Sequence, residues 1–93
     1  AWAGLEVREL TTDVARRFNL PRNKGGVVVV RVADGSPAEE AGLQVGDVIV
    51  EINRQPVASL RDFTKATGDL SPKDSALVLV LRNGRSTYLT VKP

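Results

Sequence analysis

The stretch 36-SPAEEAGLQVGDVI-49 places a helix start, a turn or two of helix, a helix stop and a strand within fourteen residues. Ser36 is a favoured N-cap, Pro37 suits the first helical position, and Glu39 completes a Ser-x-x-Glu capping box. Gly42 follows as the left-handed residue that ends the helix. A helix this short has no face to spare for an active site. It reads as a corner piece between two strands, and the fold is decided by what stands on either side of it.

Before the corner, Val27 to Val32 is almost uninterruptedly β-branched, which predicts a strand buried on both faces. After it, Asp47 to Asn53 predicts another strand, with Gln55-Pro56-Val57 as a tight return. Further upstream, Gly4-Leu5-Glu6-Val7-Arg8-Glu9-Leu10 alternates apolar and charged residues with period two, the pattern of a half-buried strand. Thr11 or Thr12 then caps a short helix through Phe18, and Pro21 to Gly26 reads as loop. Downstream, Ser59 is the N-cap of a longer helix, Leu60 to Thr67, ended by Gly68. Leu60, Phe63, Ala66 and Thr67 fall on overlapping faces of it. Pro72 and Asp74 mark a turn. Asn83-Gly84 between the alternating runs Ser75–Arg82 and Arg85–Lys92 predicts a two-residue hairpin with a type I′ turn. Short connections make the pairing mostly antiparallel. The expected fold is α+β, a small curled sheet or partial barrel of about five strands capped by two to three short helices.

Composition narrows the function. The 93 residues suit one domain and one modest core, aliphatic rather than aromatic. A net charge of +2 with few aromatics argues against a nucleic-acid surface. The basic cluster Arg16, Arg17, Arg22 and Lys24 reads as a solvated helix end and loop. The absence of cysteine removes disulfide and thiol chemistry. The longest apolar run, Val27 to Val30, is far too short to span a bilayer, so no membrane contact is expected from it. The chain begins abruptly at Ala1-Trp2 within a structured segment, which suggests a domain excised from a larger protein.

With no histidine, a Ser-His-Asp triad, a Cys-His pair and a histidine metal site are excluded within this chain. Ser36, Ser59, Ser71, Ser75 and Ser86 have readings as cap, turn or strand residues. Glu39 and Glu40 lie where acids favour a helix N-terminus, and Asp47 opens a strand. No phosphate-cradling glycine loop or calcium-loop spacing occurs. The chain is therefore expected to be no enzyme and to need neither metal nor cofactor.

A binding module instead needs backbone groups left free. A sheet edge beside an apolar-lined helix supplies them, because an extended peptide completes the sheet while its side chains enter the groove. The strand Leu5 to Glu9 and the helix Leu60 to Thr67 are the candidate walls. The Trp2-Ala3-Gly4-Leu5 turn reads two ways: as a nest that aims successive N–H groups at a carboxylate, or as a core plug followed by an ordinary turn glycine.

The run "GVVVVRVADGSPAEEAGLQVGDVIVEINRQPVASLRDF", Gly26 to Phe63, resembles the central signature of PDZ domains, specifically those of bacterial Do/HtrA-type serine proteases of the Deg family. The Leu-Arg-Asn-Gly-Arg hairpin and the final Tyr-Leu-Thr-Val strand extend the likeness over the whole chain, 1–93, as a single PDZ domain. The compact "GLEVREL" start and "NGRSTYLTVKP" finish look more like the second, C-terminal PDZ of such a protease than the first. The resemblance implies a circularly permuted topology in which the chain starts at the carboxylate-binding loop and the last strand completes the sheet. It makes the capped helix a scaffold that carries Leu43 and Val45 into the core. It also implies that Trp2, Ala3, Gly4 and Leu5 form that loop, with the N–H groups of Ala3, Gly4 and Leu5 holding a terminal carboxylate. Leu5, Glu6 and Val7 would pair with the peptide as an added antiparallel strand, and Leu60, Thr64 and Thr67 would face the groove while Phe63 and Ala66 favour the core. Ala3 departs from the pattern, which has a larger aliphatic there, and leaves a shallower loop.

The implied function is a regulatory module in the bacterial periplasm. It would capture C-terminal tails or extended segments of misfolded proteins for a serine protease elsewhere in the parent chain. The implied partners are those peptides, the protease domain and a neighbouring PDZ. The alternative is an assembly module of the protease with little free-peptide binding.

Overall fold

The computed structural model describes residues 2–17, 25–71 and 73–93. Along the chain run β1 (Leu5–Glu9), α1 (Thr12–Arg17), β2 (Val27–Val32), α2 (Pro37–Ala41), β3 (Val48–Ile52), β4 (Gln55–Pro56), α3 (Leu60–Gly68), β5 (Ala76–Arg82) and β6 (Arg85–Val91). The expected helix end at Phe18, the loop through Lys24 with the rest of the basic cluster, and the turn residue Pro72 lie outside the described residues. Every strand pair is antiparallel, in one sheet of order β1-β2-β3-β5-β6, with β4 paired to β3. This is the small antiparallel α+β architecture expected from the sequence.

Two bulges curl the sheet. Glu6 pairs with Arg31 and Val7 with Val29, so Val30 is passed over. Likewise Ile49 pairs with Val80 and Glu51 with Leu79, which passes over Val50. Each extra residue bends its strand and increases its twist. The first bulge also limits the burial expected of β2. Val27, Val28 and Val29 are fully buried, but beyond it Arg31 is exposed and Val30 and Val32 are half-buried. The core lies where the sheet wraps Phe63 of α3, with Leu5, Val29, Ile49, Ile52 and Val78 around it. Each large aliphatic removed from water there contributes roughly 1.5–3 kcal/mol.

The corner helix is capped as the sequence predicts, with one change. Ser36 Oγ accepts the Glu39 N–H at 3.2 Å, and Gly42 ends the helix at φ 98°. The Glu39 carboxylate, however, accepts from the N–H of Gly35 at 2.8 Å, one residue before the cap. The N–H of Ser36 is already engaged by the Ala33 carbonyl. Helix α3 repeats the arrangement: Ser59 Oγ accepts from Asp62 N–H, and Asp62 accepts from Ala58 N–H. Its end differs from expectation, since Gly68 is the last helical residue and Asp69 caps in a right-handed conformation. A tightened turn, with Leu70 N–H donating to the Thr67 carbonyl, closes the helix without a left-handed residue.

Val45 is a further correction. Leu43 is buried, but Val45 is 56% exposed. The chain turns sharply at Gly46 (φ 96°), and the interior position after the turn belongs to Asp47, 2% exposed. Asp47 accepts a forked pair from Arg82, Nε to Oδ1 at 2.8 Å and Nη2 to Oδ2 at 2.6 Å, and also the Gln44 N–H. The same Arg82 nitrogen donates to the carbonyl of Gly42. The hydrogen bond to Asp47 holds the guanidinium above its ordinary pKa, against the opposing push of burial. A buried carboxylate is tolerated here because every oxygen has a donor.

Candidate functional site: an open strand edge beside a helix

The segment ahead of β1 is a tight turn. Ala3 and Gly4 both have positive φ, 55° and 85°, as in a type I′ turn, and the Leu5 N–H donates to the Trp2 carbonyl at 2.8 Å. The N–H of Ala38, in the first turn of α2, donates to the Ala3 carbonyl at 3.1 Å, and the N–H of Ala33 to the Gly4 carbonyl at 2.9 Å. Three successive carbonyls are thus engaged, that of Trp2 within the turn and those of Ala3 and Gly4 by other segments. Among the described residues, the N–H groups of Ala3 and Gly4 have no acceptor in the chain. Two adjacent amides turned outward by pinned carbonyls make a concavity suited to an anion. Of the three donors that the resemblance implies, Leu5 is engaged within the turn.

Helix α2 holds this loop. Besides the bond from Ala38, its cap residue Ser36 fills the space over Gly4: a Cβ there would lie 2.3 Å from the Ser36 Cβ. Glycine is required on both counts, conformation and room.

Among the described residues β1 pairs with β2 alone, so its other edge is open there. The Gly4 carbonyl and the Leu10 N–H, flanking the strand, both bond toward the β2 side. Alternation then turns the backbone groups of Glu6 and Arg8 toward β2, and those of Leu5, Val7 and Glu9 toward the open edge. The side chains of Leu5 and Val7 pack on the core, with Leu5 only 1% exposed. Glu6 lies on the solvent face, 3.2 Å from Arg31, an exposed pair of little energetic weight.

Helix α3 lies against β1. Phe63 is its buried residue, edge-on to the half-buried Trp2 ring, with centroids 6.1 Å apart. Trp2 is therefore both the first residue of the loop and a partner of the core. Leu60, 40% exposed, and Thr64, also exposed, share one stripe with Thr67. The half-buried Thr67 donates its hydroxyl back to the Phe63 carbonyl at 2.9 Å. Of the nine expected residues, Trp2, Ala3, Gly4, Leu5 and Val7 lie on the loop and the inward face of β1, Leu60, Thr64 and Thr67 lie on α3 beside it, and Glu6 stands on the far face of the strand. Sequence reasoning passed over Glu9, whose carboxylate accepts the Leu60 N–H at 2.9 Å and so joins strand to helix. A contact between residues so far apart in the chain leaves no local signal.

Among the described residues no group of three or more His, Cys, Asp or Glu is placed to hold a metal, and no helix is long and apolar enough to cross a membrane.

The sequence profile of the PDZ domain family matches residues 4–92. The chain is 38% identical over 90 residues to a probable periplasmic serine endoprotease, DegP-like, of Ectopseudomonas mendocina, covering 97% of this chain and 19% of that protein. It is 36% identical over 91 residues to the corresponding protein of Rhizobium meliloti, covering 98% and 18%. Among solved structures, the HtrA-type protease AlgW with decapeptide superposes at TM-score 0.89 with 34% identity, over 98% of this chain and 28% of that one. The HtrA3 PDZ domain bound to a phage-derived ligand, FGRWV, superposes at TM-score 0.80 with 26% identity, over 99% and 83%. The chain spans about a fifth of the length of the curated relatives it matches.

Proposed function

The chain belongs to the PDZ domain family and resembles the PDZ domains of DegP/HtrA-type serine endoproteases, and on that premise we propose that it captures the free C-terminal tails of other polypeptides for a protease domain in the same parent protein. The observation that carries this is the pairing of two outward amides, Ala3 and Gly4, with the open edge of β1 immediately after them. In this reading the terminal carboxylate sits at the Ala3–Gly4 amides, and the tail runs antiparallel to Leu5–Glu9 as an added strand. Its last side chain enters between Leu5, Val7 and the α3 stripe of Leu60, Thr64 and Thr67. Glu6 meets only the ligand's solvent-facing side chains. Peptide ligands in two of the similar structures support the reading. The relatives' names place it in the bacterial periplasm. A position as the second PDZ of the parent, and misfolded proteins as the source of the tails, belong to the same proposal.

The expected strength is modest. Two charge-assisted bonds to the carboxylate contribute about 1.5–3 kcal/mol each, and two or three main-chain bonds about 0.5–1.5 each. One buried apolar side chain adds roughly 1.5–3 kcal/mol. Immobilising the peptide costs at least about 4 kcal/mol. Central values leave about 5 kcal/mol, a Kd on the order of 100 μM. Attachment to a protease compensates by raising the effective concentration.

The test is a titration followed by amide chemical shifts. A peptide ending in a free valine carboxylate moves the amides of Ala3 to Val7, and the same peptide with a C-terminal amide does not. Equal responses to the two, or none to either, would overturn the reading. A second reading, an assembly module, draws on the opposite sheet edge: among the described residues β6 pairs only with β5, and its Tyr88 is 54% exposed. Under it, deleting this domain changes the parent's oligomer size and leaves its peptide affinity intact.

A further inference from the structure

We infer that Glu9 closes the far end of the groove and thereby limits recognition to about the last five residues of a tail. The inference rests on the peptide path proposed above. Leu5, Val7 and Glu9 share one face of β1, and the burial of Leu5 and the packing of Val7 on the core identify it as the inward face. At Glu9, however, the side chain does not enter the core. It is exposed and reaches across to α3, where its Oε1 accepts the N–H of Leu60, the first residue of the helix, at 2.9 Å. Among the described residues this is the one side-chain hydrogen bond that joins β1 to α3. It satisfies a helix N–H that would otherwise have no acceptor in the chain, and it puts negative charge where the helix dipole favours it. The link therefore persists without a ligand.

Its position sets a length. A tail whose last residue lies opposite Leu5 places the residue four earlier opposite Glu9, and there the strand-to-helix link crosses the cleft. Residues further from the tail's end leave the groove for solvent and add little. Glu9 is thus a positioning residue that fixes the spacing of the two walls and the length of tail they read.

The experiment uses acetylated peptides of three to eight residues with a common valine-terminated tripeptide, extended by alanine and serine, titrated against the wild-type domain, Glu9→Ala and Glu9→Gln. In the wild type, affinity rises up to about five residues and then changes by less than about twofold. In Glu9→Ala it continues to rise, by about fivefold between five and eight residues, the effect of one further pair of main-chain bonds. Glu9→Gln keeps an acceptor and restores the plateau. In the free protein the Leu60 amide exchanges faster with solvent in Glu9→Ala than in wild type or Glu9→Gln. A plateau unchanged in Glu9→Ala, or Leu60 exchange unchanged, overturns the role of Glu9. Absence of binding at every length overturns the peptide-capture reading itself, and the length limit with it, so the two failures are told apart.

Discussion

At residue scale, the left-handed positions divide into those the fold requires and those it merely tolerates. Gly4 is required. Gly4→Ala would place a methyl 2.3 Å from the Ser36 Cβ at φ 85°, so either the loop or the α2 cap must shift. We expect a loss of about 2 kcal/mol in denaturant unfolding, since backbone strain and overpacking act together, and no detectable carboxylate binding. Arg54 is tolerated, at φ 67° in the Asn53-Arg54 turn between β3 and β4, where Asn-Gly is the favoured pair. Arg54→Gly should stabilise the domain by about 0.5 kcal/mol, the left-handed cost of about 1 less the entropy glycine adds to the unfolded chain. Peptide affinity should not change, because that turn contributes nothing to the cleft. Asn83-Gly84 already satisfies the same rule, with φ 52° and 77°, and that turn was legible in the sequence for this reason. Nothing local marked Ala3 as left-handed. It adopts φ 55° because its carbonyl is held by Ala38 from another element.

At the scale of elements, β1 and α3 each present two faces with different duties. In β1 the amides of Glu6 and Arg8 face β2, and those of Val7 and Glu9 face the open edge. Hydrogen exchange should therefore find Glu6 and Arg8 protected in the free domain and Val7 fast, with Val7 slowed only on adding peptide. Slow exchange of Val7 without peptide would show the edge to be occupied. In α3, Phe63→Ala should cost about 3–5 kcal/mol by opening a cavity in the core. Leu60→Ala, on the exposed stripe, should change stability by less than about 0.5 kcal/mol yet weaken binding. Helix and strand patterns made these elements readable, including both serine caps. The bulges at Val30 and Val50 were not, because a run of valines carries no mark of which residue the register will omit.

At the scale of the whole molecule, α2 is tied at its end to β5 and at its start to the loop ahead of β1. Arg82 of β5 grips Asp47 and the Gly42 carbonyl at the end of α2, while the start of α2 grips the loop at Ala3. Arg82→Ala would leave the Asp47 carboxylate buried without its cation, and should cost about 3 kcal/mol, measured by urea unfolding. Asp47 read as a turn residue in the sequence because its partner lies 35 positions away.

Periodicity, caps and turn residues by themselves determined the class of fold, the order of its elements and the placing of β1 and α3 along the chain, because each of these is set by neighbours within a few positions. Tertiary structure alone decided which edge of β1 is left unpaired among the described residues, that the Ala3 and Gly4 amides have no acceptor there, that Val45 faces water while Asp47 is buried, and that Glu9 bonds to the start of α3. Those outcomes depend on contacts between distant segments: the main-chain donors and acceptors are the same groups in every sequence, and the side-chain contacts, Glu9 with Leu60 and Asp47 with Arg82, join residues 51 and 35 positions apart.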